Sequence, residues 1–430
     1  MEKLIIHGGR KLRGTVRING AKNAVLPIMA ASILGEGASI LANVPLLDDV
    51  YSMAALLRKL GVRIVIDKSG TMTINPAGIK NHEAPYELVR KMRASVCILG
   101  PLLGRFGEAK VSMPGGCVIG PRPIDLHLKG IKALNVKLEV DHGFILAASG
   151  GLRGADIYLG GRFGPSVLAT ANVLMAAVKA KGTTVIENAA CEPEIVDLAV
   201  FLNKMGARIQ GVGSHTIRVQ GVKRLRGAEH RIMADRIEAG TYMLAGAITG
   251  GDVTVDRVCP EHLHAVIDKL REAGVRVDTK KDRIRVRRNT RLKPVEIITL
   301  PYPGFPTDLQ AQFMSLMTIA PGLSIITEKI YMQRFMHVPE LLRMAAEISL
   351  EGATAVIKGV KGLSGAPVMA SDLRAGAALV LAGLAAGGET EVNRIYHLDR
   401  GYEKMDEKLR VLGARIQREK VRMVAGKTNV

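Results

Sequence analysis

The sequence predicts an α/β (α+β) fold made of six copies of one βαβαββ-like unit, and three observations lead to it. Six times a helix rich in Ala, Leu and Met runs into a glycine, and an apolar residue follows four positions later on a short strand. These glycines are Gly37, Gly107, Gly182, Gly251, Gly322 and Gly388, spaced 70, 75, 69, 71 and 66 residues apart, a period too long for a short-repeat solenoid. Each copy then makes a loop and a second helix that ends at a turn residue, Gly61, Asn135, Gly206, Gly274, Ala345 or Gly413, before a Leu-Gly-Ala-Arg-Ile-like strand. Strand-like and helix-like segments alternate along the chain in the manner of α/β or α+β proteins.

Taken in order, the copies differ in one place. The turn residue comes 24, 24, 23, 23 and 25 residues after the glycine in copies one, three, four, five and six, but 28 in copy two. The excess is the loop Pro114-Gly115-Gly116-Cys117-Val118-Ile119-Gly120-Pro121-Arg122. An irregularity set into a regular scaffold is where function is expected. Most copies are expected to end in a hairpin whose turn reads Leu-Arg-Gly or similar, as at Leu152-Arg153-Gly154, Leu225-Arg226-Gly227 and Leu363-Ser364-Gly365. The sixth copy lacks this ending, whereas residues 1–20 carry a spare one at Leu12-Arg13-Gly14, so the N-terminus is expected to complete the last copy. That argues for two domains of three copies, residues 22–229, and residues 230–430 with 1–21.

Length and composition agree with this division. A chain of 430 residues suggests two or three domains with ample core, and 47% hydrophobic residues without tryptophan indicate a folded globular protein. No apolar stretch reaches the roughly 20 residues that span a bilayer. The opening Met1-Glu2-Lys3-Leu4-Ile5-Ile6-His7 is too short and mixed for a signal peptide, so a cytoplasmic location without membrane attachment is expected. The four cysteines, Cys97, Cys117, Cys191 and Cys259, show no CxxC pair and no metal-ligand spacing, which argues against a disulfide framework or a zinc site. A formal charge of +20 is a solvated basic surface or a sign of an anionic ligand. Aromatics at 3% and dispersed cations disfavour nucleic acid.

Counting fourteen back from each glycine lands near the start of its first helix, at Asn23, Arg93, Leu168, Ile237, Asp308 and Arg374, with Lys22 and Asp372 flanking. Helix starts expose free N–H groups and the positive end of the dipole, which suit phosphate and carboxylate groups. Counting twelve forward gives Arg334 and Arg400, and copy two offers Arg122 at fifteen, in keeping with its longer loop. Asp308 is the one acid at its register, although an Asp there also serves as a plain helix cap. Cys97 sits in an apolar helix as a small buried hydrophobe, and Cys191 and Cys259 read as packing residues. Cys117, between glycines and Arg122, has a setting that would lower a thiol pKa. His127 is a candidate base, though a histidine at a helix start is more often structural.

These motifs are similar to those of the UDP-N-acetylglucosamine 1-carboxyvinyltransferase family of enolpyruvyl transferases. The resemblance rests on Asn19-Gly20-Ala21-Lys22-Asn23, Arg93-Ala94-Ser95, Pro114-Gly115-Gly116-Cys117 with Gly120-Pro121-Arg122-Pro123-Ile124-Asp125-Leu126-His127, Pro303-Gly304-Phe305-Pro306-Thr307-Asp308, Arg334-Phe335-Met336-His337, Ser371-Asp372-Leu373-Arg374 and His397-Leu398-Asp399-Arg400-Gly401-Tyr402. It covers nearly the whole chain. Arg162-Phe163-Gly164-Pro165-Ser166-Val167-Leu168 fits the family's uridine-binding segment only at Ser166-Val167.

The resemblance implies two inside-out α/β barrel domains with the active site in the cleft between them. It also implies transfer of the enolpyruvyl group of phosphoenolpyruvate to the 3-hydroxyl of UDP-N-acetylglucosamine, through a tetrahedral adduct that loses phosphate, at the start of peptidoglycan synthesis. Lys22, Arg122 and Arg400 are thereby assigned to phosphoenolpyruvate. Arg93, the Arg122, Pro123, Ile124, Asp125 and Leu126 loop, Asp308 and Ile330 are assigned to the UDP-sugar. Asn23, Ser166, Val167, Arg334, Asp372 and Arg374 complete the expected binding set. Asp308 would take the hydroxyl proton, Cys117 would act as acid or in product release, and Lys22 is counted with them as catalytic. No metal or organic cofactor is implied, and the family's epoxide inhibitor fosfomycin would alkylate Cys117. The alternatives are a 5-enolpyruvylshikimate-3-phosphate synthase-like transferase, a family of similar fold without the cysteine loop, and a non-catalytic basic repeat protein that binds nucleic acid.

Overall fold

The computed structural model describes residues 2–113 and 124–420. Cys117, Arg122 and Pro123 lie outside the described residues, as does the whole excess loop of copy two.

The six copies appear as six four-stranded sheets of one strand order. In the third copy the order across the sheet is Asp156–Tyr158, Thr183–Glu187, Thr216–Gln220, Arg208–Gln210. The first pair is parallel and the other two are antiparallel. Parallel strands need a long crossover, and the helix Val167–Ala177 supplies it here. The second helix, Pro193–Lys204, joins the second strand to the far edge. Each sheet is open, so no closed β-barrel exists among the described residues.

Three strands enter their sheets from distant parts of the chain. Glu2–His7 pairs antiparallel with both Glu389–Asn393 and Arg415–Lys420. Arg13–Arg17 lies parallel to Asp252–Asp256, and Glu229–Arg231 parallel to Ser39–Ala42. The chain divides into two compact units. Unit A comprises Asn19–Asp235 and Leu300–Gly304, and unit B comprises Met1–Ile18, Arg236–Thr299 and Phe305–Val430.

Within each unit the first helices of the copies pack on one another. In unit B these are Arg236–Ile248, Gln310–Met317 and Leu373–Ala385. Every residue of the first two is buried, as are Arg374 to Leu384 of the third. A helix apolar on all sides belongs inside, and glycines let neighbours approach: Gly240 faces Leu309 and Gly376 faces Leu398. In unit A, Lys22–Ala31, Arg93–Phe106 and Val167–Ala177 play the same part. The strands alternate buried and exposed residues, as in Thr216–Gln220 and Arg283–Arg287. Each such sheet therefore covers the helices with one face and meets solvent with the other. No described helix is long and apolar enough to cross a membrane.

The six turn residues after the second helices, including Asn135 and Ala345, all have φ between 66° and 107°, the left-handed region that glycine enters without a Cβ penalty. The Leu-Arg-Gly segments correct the expectation of hairpin turns. They link the end of one copy to the first strand of a sheet: Arg153 bridges Lys181 in parallel, and Asp156–Tyr158 follows directly. Glycine is required there by close approach, because a Cβ at Gly154, Gly227 or Gly365 would overlap the carbonyl oxygen of Thr183, Ala38 or Glu389. Hairpin turns and parallel crossings both select glycine, for these different reasons.

The two kinds of glycine should respond differently to alanine. At Gly206 a Cβ meets nothing within 4 Å and only the φ of 107° is strained, so Gly206→Ala should cost about 1–2 kcal/mol. Gly227→Ala must displace backbone and should cost about 3 kcal/mol or more. Denaturant unfolding of both variants checks this, and equal losses would contradict the distinction.

Candidate active site

In unit A, Lys22 opens its helix with its backbone N–H 3.3 Å from Asp235 Oδ2. Its ammonium lies 3.2 Å from Asp49 Oδ2, both side chains being largely buried. Asn23 follows it, half-buried. Asp49 stands twelve residues after Gly37, the register that yields Arg334 and Arg400 in copies five and six. Applied to acids as well as bases, the same count would have found it.

Arg93 begins the 3-10 turn Arg93–Ile98, half-buried. Burial, and then the charge of Arg93, hold the His127 imidazole down to about 3. The Gly100 N–H donates to Asn172 Oδ1 at 2.6 Å, which turns the Asn172 amide nitrogen toward Val96 O and His127 Nδ1 at 3.0 and 3.1 Å. The ring therefore accepts at Nδ1 and carries its proton on Nε2. His127 is thus a neutral, buried tether between helices, the structural role rather than a base. Ile124 is buried beside the exposed Asp125 and half-buried Leu126 at the start of the helix Asp125–Ala133. Ser166 caps the helix Val167–Ala177 by accepting the Ala169 N–H at 3.3 Å, and Val167 is its first residue.

Unit B brings Asp308 together with two cations of the candidate set. Asp308 lies in the turn Thr307–Leu309, just before the buried helix Gln310–Met317. Its Oδ1 accepts from Arg334 at 2.8 Å and its Oδ2 from Arg374 at 3.2 Å. The carboxylate is 27% exposed and the two guanidiniums 5% and 4%, so the acid is the accessible member of the cluster. Burial alone would lower the Arg334 pKa, but the charges of Asp308 and Asp372 outweigh it and the net direction is upward. Arg374 also donates to the Tyr402 hydroxyl at 3.0 Å, which meets Thr241 Oγ1 at 2.9 Å and the Gln312 amide at 3.2 Å. Gln312 Nε2 reaches back to the Asp308 carbonyl at 2.9 Å. Tyr402 and Gln312 thus brace the pair from behind, a part that depends on three helices meeting and leaves no mark in the register.

Asp372 caps the helix Leu373–Ala385 through the N–H groups of Arg374 and Ala375 at 2.9 and 3.1 Å. His337, with Nε2 3.2 Å from Met314 Sδ, is pushed down to about 4, chiefly by burial. Arg400 ends the short helix Tyr396–Asp399, half-buried, and burial followed by its charge lowers the pKa of His397. The Ile330 N–H donates to Glu328 Oε1 at 2.8 Å. The three described thiols are all held above their ordinary value. Burial sends Cys97 up to about 12, and burial with acidic neighbours raises Cys191 and Cys259.

A carboxylate between two arginines, with further cations at helix starts, can hold anions and handle a proton, and the comparisons with known proteins name the chemistry. The profile of the EPSP synthase (3-phosphoshikimate 1-carboxyvinyltransferase) family matches residues 6–409. The UDP-N-acetylglucosamine 1-carboxyvinyltransferase 1 of Caldanaerobacter subterraneus subsp. tengcongensis is 56% identical over 417 residues, 97% of this chain and 99% of that protein. The UDP-N-acetylglucosamine 1-carboxyvinyltransferase of Myxococcus xanthus is 53% identical, over 98% of this chain and all of its own. Among solved structures, the enolpyruvyl transferase NikO from Streptomyces tendae superposes with a TM-score of 0.87 at 25% identity, covering 97% of this chain and 98% of that one. EPSP synthase from Acinetobacter baumannii shares the fold, with a TM-score of 0.74 at 18% identity, over 98% of this chain and 100% of that one. The chain belongs to the UDP-N-acetylglucosamine 1-carboxyvinyltransferase family of enolpyruvyl transferases.

Proposed function

We propose that this protein is the enzyme that transfers the enolpyruvyl group of phosphoenolpyruvate to the 3-hydroxyl of UDP-N-acetylglucosamine, releasing phosphate, in peptidoglycan precursor synthesis in the cytoplasm. The observation that carries this reading is the identity of 53–56% to transferases of that name over 97% or more of the chain. The 5-enolpyruvylshikimate-3-phosphate synthase-like alternative shares the family profile over residues 6–409, but its solved structures match at 18% identity, against 53–56% for the transferases named above. The family's inside-out barrels and its cleft between domains belong to the same proposal, as do the residue roles that follow.

Both substrates are polyanions, so the reaction needs cations that attract them and offset charge in the adduct. Lys22 and Arg400, with Arg122 outside the described residues, are proposed to hold phosphoenolpyruvate. Arg93, Ile124, Asp125, Leu126, Ser166, Val167 and Ile330, with Pro123, are proposed to hold the UDP-sugar. Asn23, Arg334, Asp372 and Arg374 support these groups, the arginines through Asp308. The hydroxyl attacks the carbon bearing the phosphate group while the methylene carbon gains a proton. Phosphate and a proton then leave the tetrahedral adduct. Asp308, half-buried between Arg334 and Arg374, is proposed to take the hydroxyl proton, and the guanidiniums fix the direction of its lone pairs. Cys117 is proposed as acid or product-release group.

Asp308→Asn keeps the shape but not the basicity. It should lower kcat by about 100-fold or more with little change in UDP-N-acetylglucosamine affinity, as measured by phosphate release and calorimetric titration. Loss of affinity at near-normal turnover would instead make Asp308 a binding group.

Because Cys97, Cys191 and Cys259 are all held above the ordinary thiol value, and the thiolate is the nucleophile, fosfomycin should label Cys117 alone. Peptide mass mapping reads the adduct, and Cys117→Asp should abolish it. An adduct on any of the other three would refute the assignment.

A further inference from the structure

Six residues after each repeat glycine stand Asn43, Met113, Asn188, Arg257, Glu328 and Arg394. Asn43, Asn188, Arg257 and Arg394 leave the second strand with φ between 50° and 61°, a left-handed turn made by the backbone itself. Glu328 does not adopt it. Its side chain is fully buried and organises the turn instead. Oε1 accepts the N–H groups of Ile330 and Tyr331 at 2.8 and 2.9 Å and the Thr299 hydroxyl at 2.6 Å. Oε2 accepts the Thr307 hydroxyl at 2.8 Å. Four donors on one buried carboxylate satisfy a group that is otherwise costly to bury.

The direction of these bonds matters. A hydroxyl has one proton, and Thr307 gives its proton to Glu328. Its lone pairs are left to accept from Arg334 Nη1 at 3.0 Å, and the same nitrogen donates to Asp308 Oδ1 at 2.8 Å. We propose that Glu328 is a positioning residue of the transfer reaction: through Thr307 it sets the Arg334 guanidinium, and through Arg334 the carboxylate of Asp308. The reaction named here is the one under Proposed function, on which this role rests. Glu328 also holds the Lys329–Tyr331 turn that carries Ile330, so one carboxylate ties that turn to the Asp308 turn.

Glu328→Gln isolates the second link. The Gln oxygen can keep the three bonds of Oε1, while its amide nitrogen turns an acceptor into a donor facing Thr307. Thr307 must then accept there, and its proton is forced toward Arg334, which has only donors. The wild-type enzyme is first assayed for phosphate release from phosphoenolpyruvate and UDP-N-acetylglucosamine. Glu328→Gln should then lower kcat by about 10- to 100-fold, with KM for the UDP-sugar little changed and the melting temperature near that of the wild type. Thr307→Val should do the same, and the double variant should be no worse than the poorer single one, since both break one chain. Turnover of Glu328→Gln within about 3-fold of wild type, or losses that multiply in the double variant, would overturn the proposal. A crystal structure of Glu328→Gln gives a readout free of catalysis. Arg334 displaced from Asp308 is expected, and Arg334 still seated on it overturns the role. An inert wild type with a displaced Arg334 would sink the function while leaving the positioning intact.

Discussion

Every copy of the repeat needs a strand that its own segment does not contain, and the two compact units follow from how the chain meets that need. A run of copies passes its first strand forward from the end of the one before, so the first copy of a series has no donor. Glu229–Arg231 fills this gap beside Ser39–Ala42, and Arg13–Arg17 fills it beside Asp252–Asp256. Glu2–His7 closes the last sheet by pairing on both sides. Unpaired strand edges are exposed liabilities, so these three insertions turn open-ended series into finished units. They also impose a single geometry on every copy, which is why side chains equidistant from the repeat glycines arrive at equivalent places.

On that shared frame the chemistry is a matter of which charge occupies which slot. In copy five the slots hold Asp308 and Arg334, 2.8 Å apart. In copy one Asp49 takes the second slot and pairs at 3.2 Å with Lys22, which stands one residue before Asn23, the occupant of the first slot, and the signs are exchanged. Copy six puts cations in both, Arg374 and Arg400, and Arg374 reaches the acid of copy five. Behind the Asp308 pair the helices are buried, and Tyr402, Thr241 and the Gln312 amide nitrogen bond to one another between them. Rigid surroundings of this kind hold charged side chains in one orientation before a ligand arrives, the condition that electrostatic catalysis requires.

Much of this was legible in the residues because the repeat is long and strict. The period, the strand and helix alternation, the left-handed turn positions and the register of Asp308, Arg334 and Arg374 all follow from counting. The Leu-Arg-Gly segments cannot be told from hairpin turns by sequence, since a glycine forced by a crossing carbonyl looks the same there as one that makes a hairpin. Asp49 stands at the register of Arg334 and Arg400 but carries the opposite charge, so a count of cations passes over it. Glu328, Tyr402 and Gln312 were invisible for a deeper reason: each acts by joining elements 60 or more residues apart, or by replacing a backbone turn with a side chain, and periodicity carries neither. The histidines His127 and His337 could be named but not assigned, because it is mainly burial, a property of the packed structure, that holds their pKa values down.

The exchange of sign between the Lys22–Asp49 and Asp308–Arg334 pairs has a consequence for how such a protein can arise. If the six segments descend from one duplicated ancestor, the closeness of the first helix's start to the residue twelve after the glycine is a part that each copy inherits ready-made. Exchanging the charges there requires changes of side chain at or beside those two positions, because the positions are set by strand and helix geometry rather than by the charges themselves. Duplication followed by such changes lets one small folding motif present acidic and basic side chains alike, with novelty accumulating in side chains while the architecture is simply copied.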